Sequence, residues 1–214
     1  MLEPFLTIKQ TGTAELEIKK SRFLCSIAQV TDEAETRQFI ANVAQQNPKA
    51  NHNCYAYMIG DDNHIQRESD DGEPSGTAGV PILNVLQQEN LHNLVAVVTR
   101  YFGGIKLGAG GLIRAYSNSA SNGIREIGIV ERVIQTELQL VTDYSSYEKL
   151  AYYLKKNDLN SDPPEFSVIV KLSIYVDKDS IETIKSDITS LLAGNVKIST
   201  GKERYQERPY DQKK

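Results

Sequence analysis

Five glycines crowd nine positions, Gly103, Gly104, Gly108, Gly110 and Gly111, with the basic residues Arg100, Lys106 and Arg114 around them. Glycine tolerates positive φ and lets a ligand approach backbone N–H groups, while a helix start adds unpaired donors and a positive dipole end. Such a set suits a phosphate, a carboxylate or a nucleic-acid backbone. Arg22, a lone cation ahead of Phe23, either joins this anion site or lays its stem along a strand edge. The fixed nucleotide motifs are absent. Gly103 and Gly108 have the Walker separation but are followed by Ala109-Gly110 instead of Lys-Ser/Thr, and the third Rossmann glycine position holds Ile113. The competing reading of the same glycines is tight turning and close packing of a helix on its sheet.

A second cluster is acidic, Asp70-Asp-Gly-Glu-Pro-Ser-Gly-Thr-Ala-Gly79. Asp71 and Glu73 are candidates for general acid–base work on a small phosphorylated or acidic substrate, with Mg²⁺ as an optional helper. The plainer reading pairs these acids with Arg100, Lys106 or Arg114 across the mouth of a sheet. Ser75 and Thr77 are expected to cap the helix that follows. His52 and Cys54, two apart, share one face of a strand. A Cys–His dyad or half a zinc site is imaginable there, but no CxxC or His-x-x-x-His completes a ligand set. The reading therefore assigns no metal and no cofactor. Tyr55, Tyr57, Tyr101, Phe102 and Tyr116 have rings suited to base stacking, although core packing is the commoner role of such residues.

These candidates need elements to hold them. Alternation over residues 14–30 predicts two strands meeting near Lys19-Lys20-Ser21. Asp32 opens a helix, with Glu35 placed for a capping box, and Asn47-Pro48 closes it. Cys54 to Ile59 reads as a strand, Gly60 to Asn63 as a turn, and His64 to Glu68 as a partner strand. Pro81 fits the first turn of a helix. Leu94 to Val98 is apolar on both faces, as in a central strand. Behind the glycines, Leu112, Ala115, Tyr116, Ser119, Ala120, Gly123, Ile124 and Ile127 make one helix face; many are small, so this helix is expected to lie close against its sheet.

The second half changes rhythm: a strand over Val133 to Val141, a helix over Ser145 to Lys156, and a strand over Phe166 to Val176. A helix capped by Asp179 or Ser180 runs to Leu192, and a strand covers Val196 to Tyr205. This order suggests a ferredoxin-like sandwich, with the missing strand near Asn160 to Pro164 weakened by Pro163-Pro164. The expected organisation is an N-terminal domain over 1–130, a C-terminal domain over 131–206 and a frayed polar tail over 207–214.

With 214 residues, 40% hydrophobic and 24% charged, the composition is that of a globular chain. Net charge is −4, split −3 over residues 1–130 and −1 after them. Indiscriminate binding to nucleic acid or an anionic membrane is therefore disfavoured, and any polyanion contact needs a local patch. No apolar run approaches the roughly 18 residues of a membrane span. With two cysteines and no secretory signal, a reducing cytoplasm is expected.

Lys20-Ser-Arg-Phe23, His52-Asn-Cys-Tyr-Ala-Tyr57, the Asp70 to Gly79 block and Arg100 to Tyr116 resemble, in order, the signature blocks of the IMPACT/YigZ family. The resemblance covers nearly the whole chain. It implies an α+β protein: an N-terminal two-layer sandwich like the second domain of ribosomal protein S-five and domain IV of elongation factor G, then a ferredoxin-like domain like domain V of that factor. Eukaryotic relatives act as translational regulators through an additional RWD domain, which this sequence does not show, so that activity is not carried over. For bacterial members the resemblance implies association with RNA, the ribosome or a translation factor, by fold analogy. Met58 stands where many relatives are expected to have a basic residue, which interrupts a continuous cationic groove. Some relatives carry a proline-dipeptidase label; neither its metal ligands nor a nucleophile is seen here.

Two functions follow as expectations. The first is a non-catalytic binding or regulatory protein, contacting phosphate through Arg22, Arg100, Lys106, Arg114 and the loop N–H groups. The second is a hydrolase or transferase in which the loop holds a small anionic ligand and Asp71 or Glu73 supplies the acid–base step.

Overall fold

A computed structural model of the chain describes residues 3–60 and 62–210. The fold is α+β, and its contacts gather into two units, residues 4–132 with 208 onward, and residues 133–207 with Glu3.

The first unit contains β1 (Phe5–Ile8), β2 (Gly12–Ile18), β3 (Ser21–Gln29), α1 (Glu33–Gln46), β4 (His52–Ile59), β5 (Ile65–Ser69), α2 (Gly79–Gln88), β6 (Leu94–Tyr101) and α3 (Ala109–Ile127). Strands β2-β3-β6-β4-β5 form an antiparallel sheet in that order. Strand β6 lies at its centre and is buried from Leu94 to Arg100. Leu94, Ala96 and Val98 enter the larger core under α2 and α3, while Val95 and Val97 enter a smaller one with Val43 of α1. Because a strand's side chains alternate, an apolar central strand serves both faces, and α1 adds a third, smaller layer to the sheet–helix pair. All eight residues of the expected α3 face are buried. A Cβ at Gly123 would stand 2.7 Å from Cys25 Sγ, so the helix approaches β3 as closely as its small residues permit. Asp32 caps α1 by accepting from Glu35 N–H, and Glu35 reaches back to Thr31 N–H at 2.8 Å.

Strand β7 (Ile129–Thr142) begins in the first unit, where Ile129 to Arg132 pair with β1, and within the second unit it pairs from Gln135 onward with β9 (Val170–Asp177). With α4 (Tyr144–Lys156), β8 (Glu165–Phe166), α5 (Ile181–Leu191) and β10 (Val196–Pro209), the strand order is β10-β7-β9-β8. That is fourth, first, third, second: the split βαβ arrangement of ferredoxin-like folds. Leu138, Leu140, Leu150, Leu172, Ile174 and Ile188 are fully or nearly fully buried between this sheet and its helices.

Four local expectations are corrected. Strand β1 was not foreseen. The strand expected over Phe166 to Val176 is a hairpin of β8 and β9, and Asn160 to Asp162 meets β9 through Tyr175 N–H to Asn160 O, Asp162 N–H to Ser173 O, one bridge at Ser161 and the Tyr175 hydroxyl, which donates to Asp162 Oδ2 at 2.7 Å. Pro163 and Pro164 have no N–H to continue that ladder. Helix α5 starts after a 3-10 turn, Lys178–Ser180, and Ser180 makes no side-chain cap bond. Strand β10 runs through Pro209, so Arg208 and Pro209 are not a frayed tail; residues 211–214 lie outside the described residues. Among the described residues no helix is long and apolar enough to cross a membrane.

Candidate functional site

The register of the sheet decides where Arg100 goes. It stands opposite Phe23 on one side and His52 on the other, at the end of β6. Its side chain turns inward, leaving the residue only 6% exposed, and Nη1 donates to Glu73 Oε1 at 2.6 Å. The guanidinium lies over the rings of Phe23 and Phe102, 5.4 and 5.5 Å from their centroids. The Nε–H finds no acceptor among the described residues. Glu73 Oε1 also accepts from Tyr116 Oη at 2.8 Å, and His52 Nε2 is 4.0 Å away. Arg100 is therefore not a free phosphate contact, and its place in the expected anion site is corrected. The ion-pair reading holds for Arg100 and Glu73, but as a buried pair, where removal of one partner strands the other's charge.

The acidic loop is built into the fold in the same way. Asp70 Oδ1 accepts from the N–H groups of Ala78 and Gly79, both at 2.9 Å, and Oδ2 accepts from Gly76 at 2.7 Å. Burial pushes this carboxyl up, yet the three backbone donors outweigh it and hold it below its ordinary range. Asp70 thus performs the capping of α2 expected of Ser75 and Thr77; Thr77 Oγ1 instead bonds the Pro74 carbonyl at 2.6 Å. Asp71 is exposed with a φ of +43°, and its Oδ2 accepts from Asn53 N–H at 2.5 Å. His52 Nδ1 lies 2.7 Å from the Asp71 carbonyl. Cys54 Sγ is 2.9 Å from the Asp70 carbonyl and 3.3 Å from Tyr116 Oη, and burial pushes its thiol up to about 12. A thiol so disposed is not a nucleophile at neutral pH. Asp71, Glu73, His52 and Cys54 fasten the loop to β4 and α3.

The glycine loop is different, because it faces outward. Gly103 lies against the tip of the β2–β3 hairpin: a Cβ there would stand 2.0 Å from the Lys20 carbonyl, and Gly103 N–H donates to Ser21 Oγ at 3.2 Å. Ile18 pairs with Ser21, so the hairpin turns on two residues, Lys19 and Lys20, with φ of +48° and +66°. A two-residue turn with both φ positive normally takes Asn-Gly, since left-handed backbone costs about 1–3 kcal/mol per non-glycine residue. Both lysines are exposed. Helix α3 opens at Gly108, which has φ +70° and no capping side chain, and its first turn carries no acid. Arg114 Nη1 comes within 3.8 Å of a Cβ built at Gly110, and a cleft of about 200 Å³ is lined by Lys19, Leu107, Gly111, Arg114 and Asn118, with Ile18 and Ala115. Gly104 and Lys106 are exposed on the loop. Among the described residues Lys19, Lys20, Lys106 and Arg114 have no ion-pair partner.

Arg22 is neutralised at the surface by Glu15, at 2.7 and 3.0 Å, and lies over the Tyr101 ring. Met58 is 2% exposed within the larger core, so it does not bear on a surface groove. Of the expected cations, Lys106 and Arg114 are exposed and Arg100 is buried, while Lys19, which was not among them, lines one cleft with Gly111 and Arg114. A doubled lysine at a predicted strand junction was the available signal for Lys19.

Comparison with known proteins agrees with this architecture. The Impact N-terminal domain model matches residues 19–124, the stretch that carries the hairpin tip, acidic loop and glycine loop, and a domain of unknown function, DUF1949, matches residues 140–195. The chain is 43% identical over 208 residues to the IMPACT family member YvyE of Bacillus subtilis (strain 168), covering 97% of this chain and 96% of that protein. It is 31% identical over 202 residues to the IMPACT family member YigZ of Escherichia coli (strain K12), covering 92% and 98%. A crystal structure of a hypothetical protein superposes with a TM-score of 0.60 at 30% identity, over 92% of this chain and 97% of that one. With both halves matched and relatives alike along nearly their full lengths, this chain belongs to the IMPACT family.

Proposed function

We propose that this chain is a non-catalytic binding protein, working in the cytoplasm, that grips the phosphate backbone of RNA on a ribosomal particle or another part of the translation machinery. The grip is formed by Lys19, Lys20, Lys106, Arg114 and the exposed start of α3. Membership of the IMPACT family supports a binding or regulatory role. The observation that carries the reading is the hairpin tip: two lysines occupy left-handed positions that Asn-Gly would fill at lower energy, beside an uncapped helix start. Strain kept in a turn whose exposed lysines have no ion-pair partner among the described residues points to work those side chains do with a ligand. Four cations without ion-pair partners among the described residues, spread from the tip to the second turn of α3, exceed what one small anion needs and suit a run of phosphates. What weighs against the catalytic alternative is that Glu73 is buried and bonded to Arg100 and Tyr116, and that Asp71 accepts from Asn53 N–H.

Fluorescence anisotropy with a labelled RNA 20-mer, titrated across salt, tests this. Four neutralised phosphates on a single strand give a slope of log K against log salt near −3. A slope near zero, or unchanged affinity after Lys19→Ala, Lys20→Ala, Lys106→Ala and Arg114→Ala together, refutes the reading. Retained binding of inorganic phosphate with no RNA binding reassigns the site to a small anion.

A further inference from the structure

Five aromatic residues of the first unit have rings that a base could use, and the structure separates them. Tyr116 and Tyr57 are buried, at 0% and 7% exposure, and Tyr55 stacks on Tyr57. Tyr101 donates its hydroxyl to Asn47 Oδ1 at 2.8 Å, and its ring lies under Arg22. Phe102 alone of the five is exposed, at 46%.

Its position is held from three sides. Phe102 N–H donates to Asn51 Oδ1 at 2.8 Å. The guanidinium of Arg100 lies over its ring at 5.5 Å, and that guanidinium is itself fixed by Glu73. The next residue, Gly103, is wedged on the Lys20 carbonyl, so the backbone beside the ring cannot drift. Beyond it the surface opens: a Cβ built at Gly104 meets nothing within 4 Å, and Lys106 is exposed two residues on. A phenyl ring anchored by a buried cation, with open space and free cations along the same loop, has the makings of a stacking platform. Every base presents a flat face to such a ring only when it is unpaired, and a duplex withholds that face.

We infer that Phe102 stacks on an unpaired base and that the ligand of the glycine-loop surface is single-stranded RNA. This rests on the RNA reading above and adds the strandedness of the ligand and the residue that selects it. Exposed Ile105 and Ile113 on the same loop and helix would also suit an apolar protein contact. The neighbouring cations and uncapped helix start favour the nucleic acid, whose phosphates they can match.

Anisotropy measurements would compare a single-stranded 12-mer RNA and the same sequence as a duplex, against the wild-type protein, Phe102→Ala, Phe102→Leu and Phe102→Tyr. Phe102 is a surface side chain, and circular dichroism of each variant checks that the fold is kept. Loss of one stacked base lowers single-strand affinity about 5- to 150-fold in Phe102→Ala and Phe102→Leu. Duplex binding changes less than about twofold, the salt slope is unchanged, and Phe102→Tyr retains wild-type affinity. Wild-type affinity in Phe102→Ala overturns the inference while leaving the phosphate grip intact, provided the four-cation variant still loses binding. Wild-type single-strand affinity in Phe102→Leu, or equal losses on single strand and duplex, overturns it as well by assigning the ring to a general apolar contact. No RNA binding by the wild-type protein overturns both readings.

Discussion

Replacing Glu73 by Gln removes the counter-charge of a guanidinium that has almost no access to water. In the folded protein Arg100 donates to Glu73 Oε1 at 2.6 Å, and the Arg100 and Glu73 side chains are 7% and 4% exposed. The amide of Glu73→Gln still offers an oxygen to Arg100 and to Tyr116, so the perturbation is chiefly electrostatic. Breaking a buried pair by removing one partner destabilises by about 3–5 kcal/mol. At roughly 2–4 °C per kcal/mol for a chain of this size, the melting temperature falls by about 6–20 °C. The matched control is Glu15→Gln at the surface pair with Arg22, where side-chain exposures of 47% and 52% keep the expected change below about 1 kcal/mol. The chain contains no tryptophan, so urea unfolding is best followed by far-ultraviolet circular dichroism and tyrosine fluorescence together. Equal, small losses in Glu73→Gln and Glu15→Gln refute the argument, because Arg100 would then be solvated without its partner.

Other perturbations test separate links of the argument. Lys19→Asn with Lys20→Gly relieves two left-handed lysines, so stability rises by about 1–2 kcal/mol while RNA affinity falls; denaturant midpoints and anisotropy measure the two effects, which run in opposite directions. Gly103→Ala places a Cβ 2.0 Å from a backbone carbonyl, and it is expected to destabilise by about 2 kcal/mol or more, read as a lower urea midpoint. The depressed Asp70 carboxyl contributes stability that is present above its unfolded value of 3.8 and is lost as pH falls through the lower folded value; Asp70→Asn flattens that acid limb of a pH–stability curve. The Cys25 and Cys54 thiols, both pushed up to about 12 by burial, are expected to resist iodoacetamide at pH 8 until the protein is unfolded, with mass spectrometry counting the adducts. Because these thiols titrate higher when folded, their contribution is fully present below the unfolded value of 9.0 and is lost as pH rises toward 12.

The periodic features were legible in the residues themselves. The inward face of α3, the doubly apolar β6 and the capped start of α1 follow from side-chain spacing and local hydrogen bonding, which depend on neighbours three or four residues away. The order of strands and helices in the second unit was readable for the same reason, whereas the two-residue β8 is too short for any period to mark it. Four sequence blocks also sufficed to identify the family. Which cations face a ligand was decided only by tertiary structure. Arg100 and Lys106 are both basic residues beside glycines, and nothing local separates them. One is drawn inward because antiparallel register sets it between Phe23 and His52, where a carboxylate 27 residues earlier and a hydroxyl 16 residues later close around it. Lys19 and Lys20 acquire left-handed backbone from a two-residue turn whose length is fixed by the pairing of Ile18 with Ser21. Charge and residue type are local properties; the direction of a side chain, and the water left around it, belong to contacts that only the folded chain brings together.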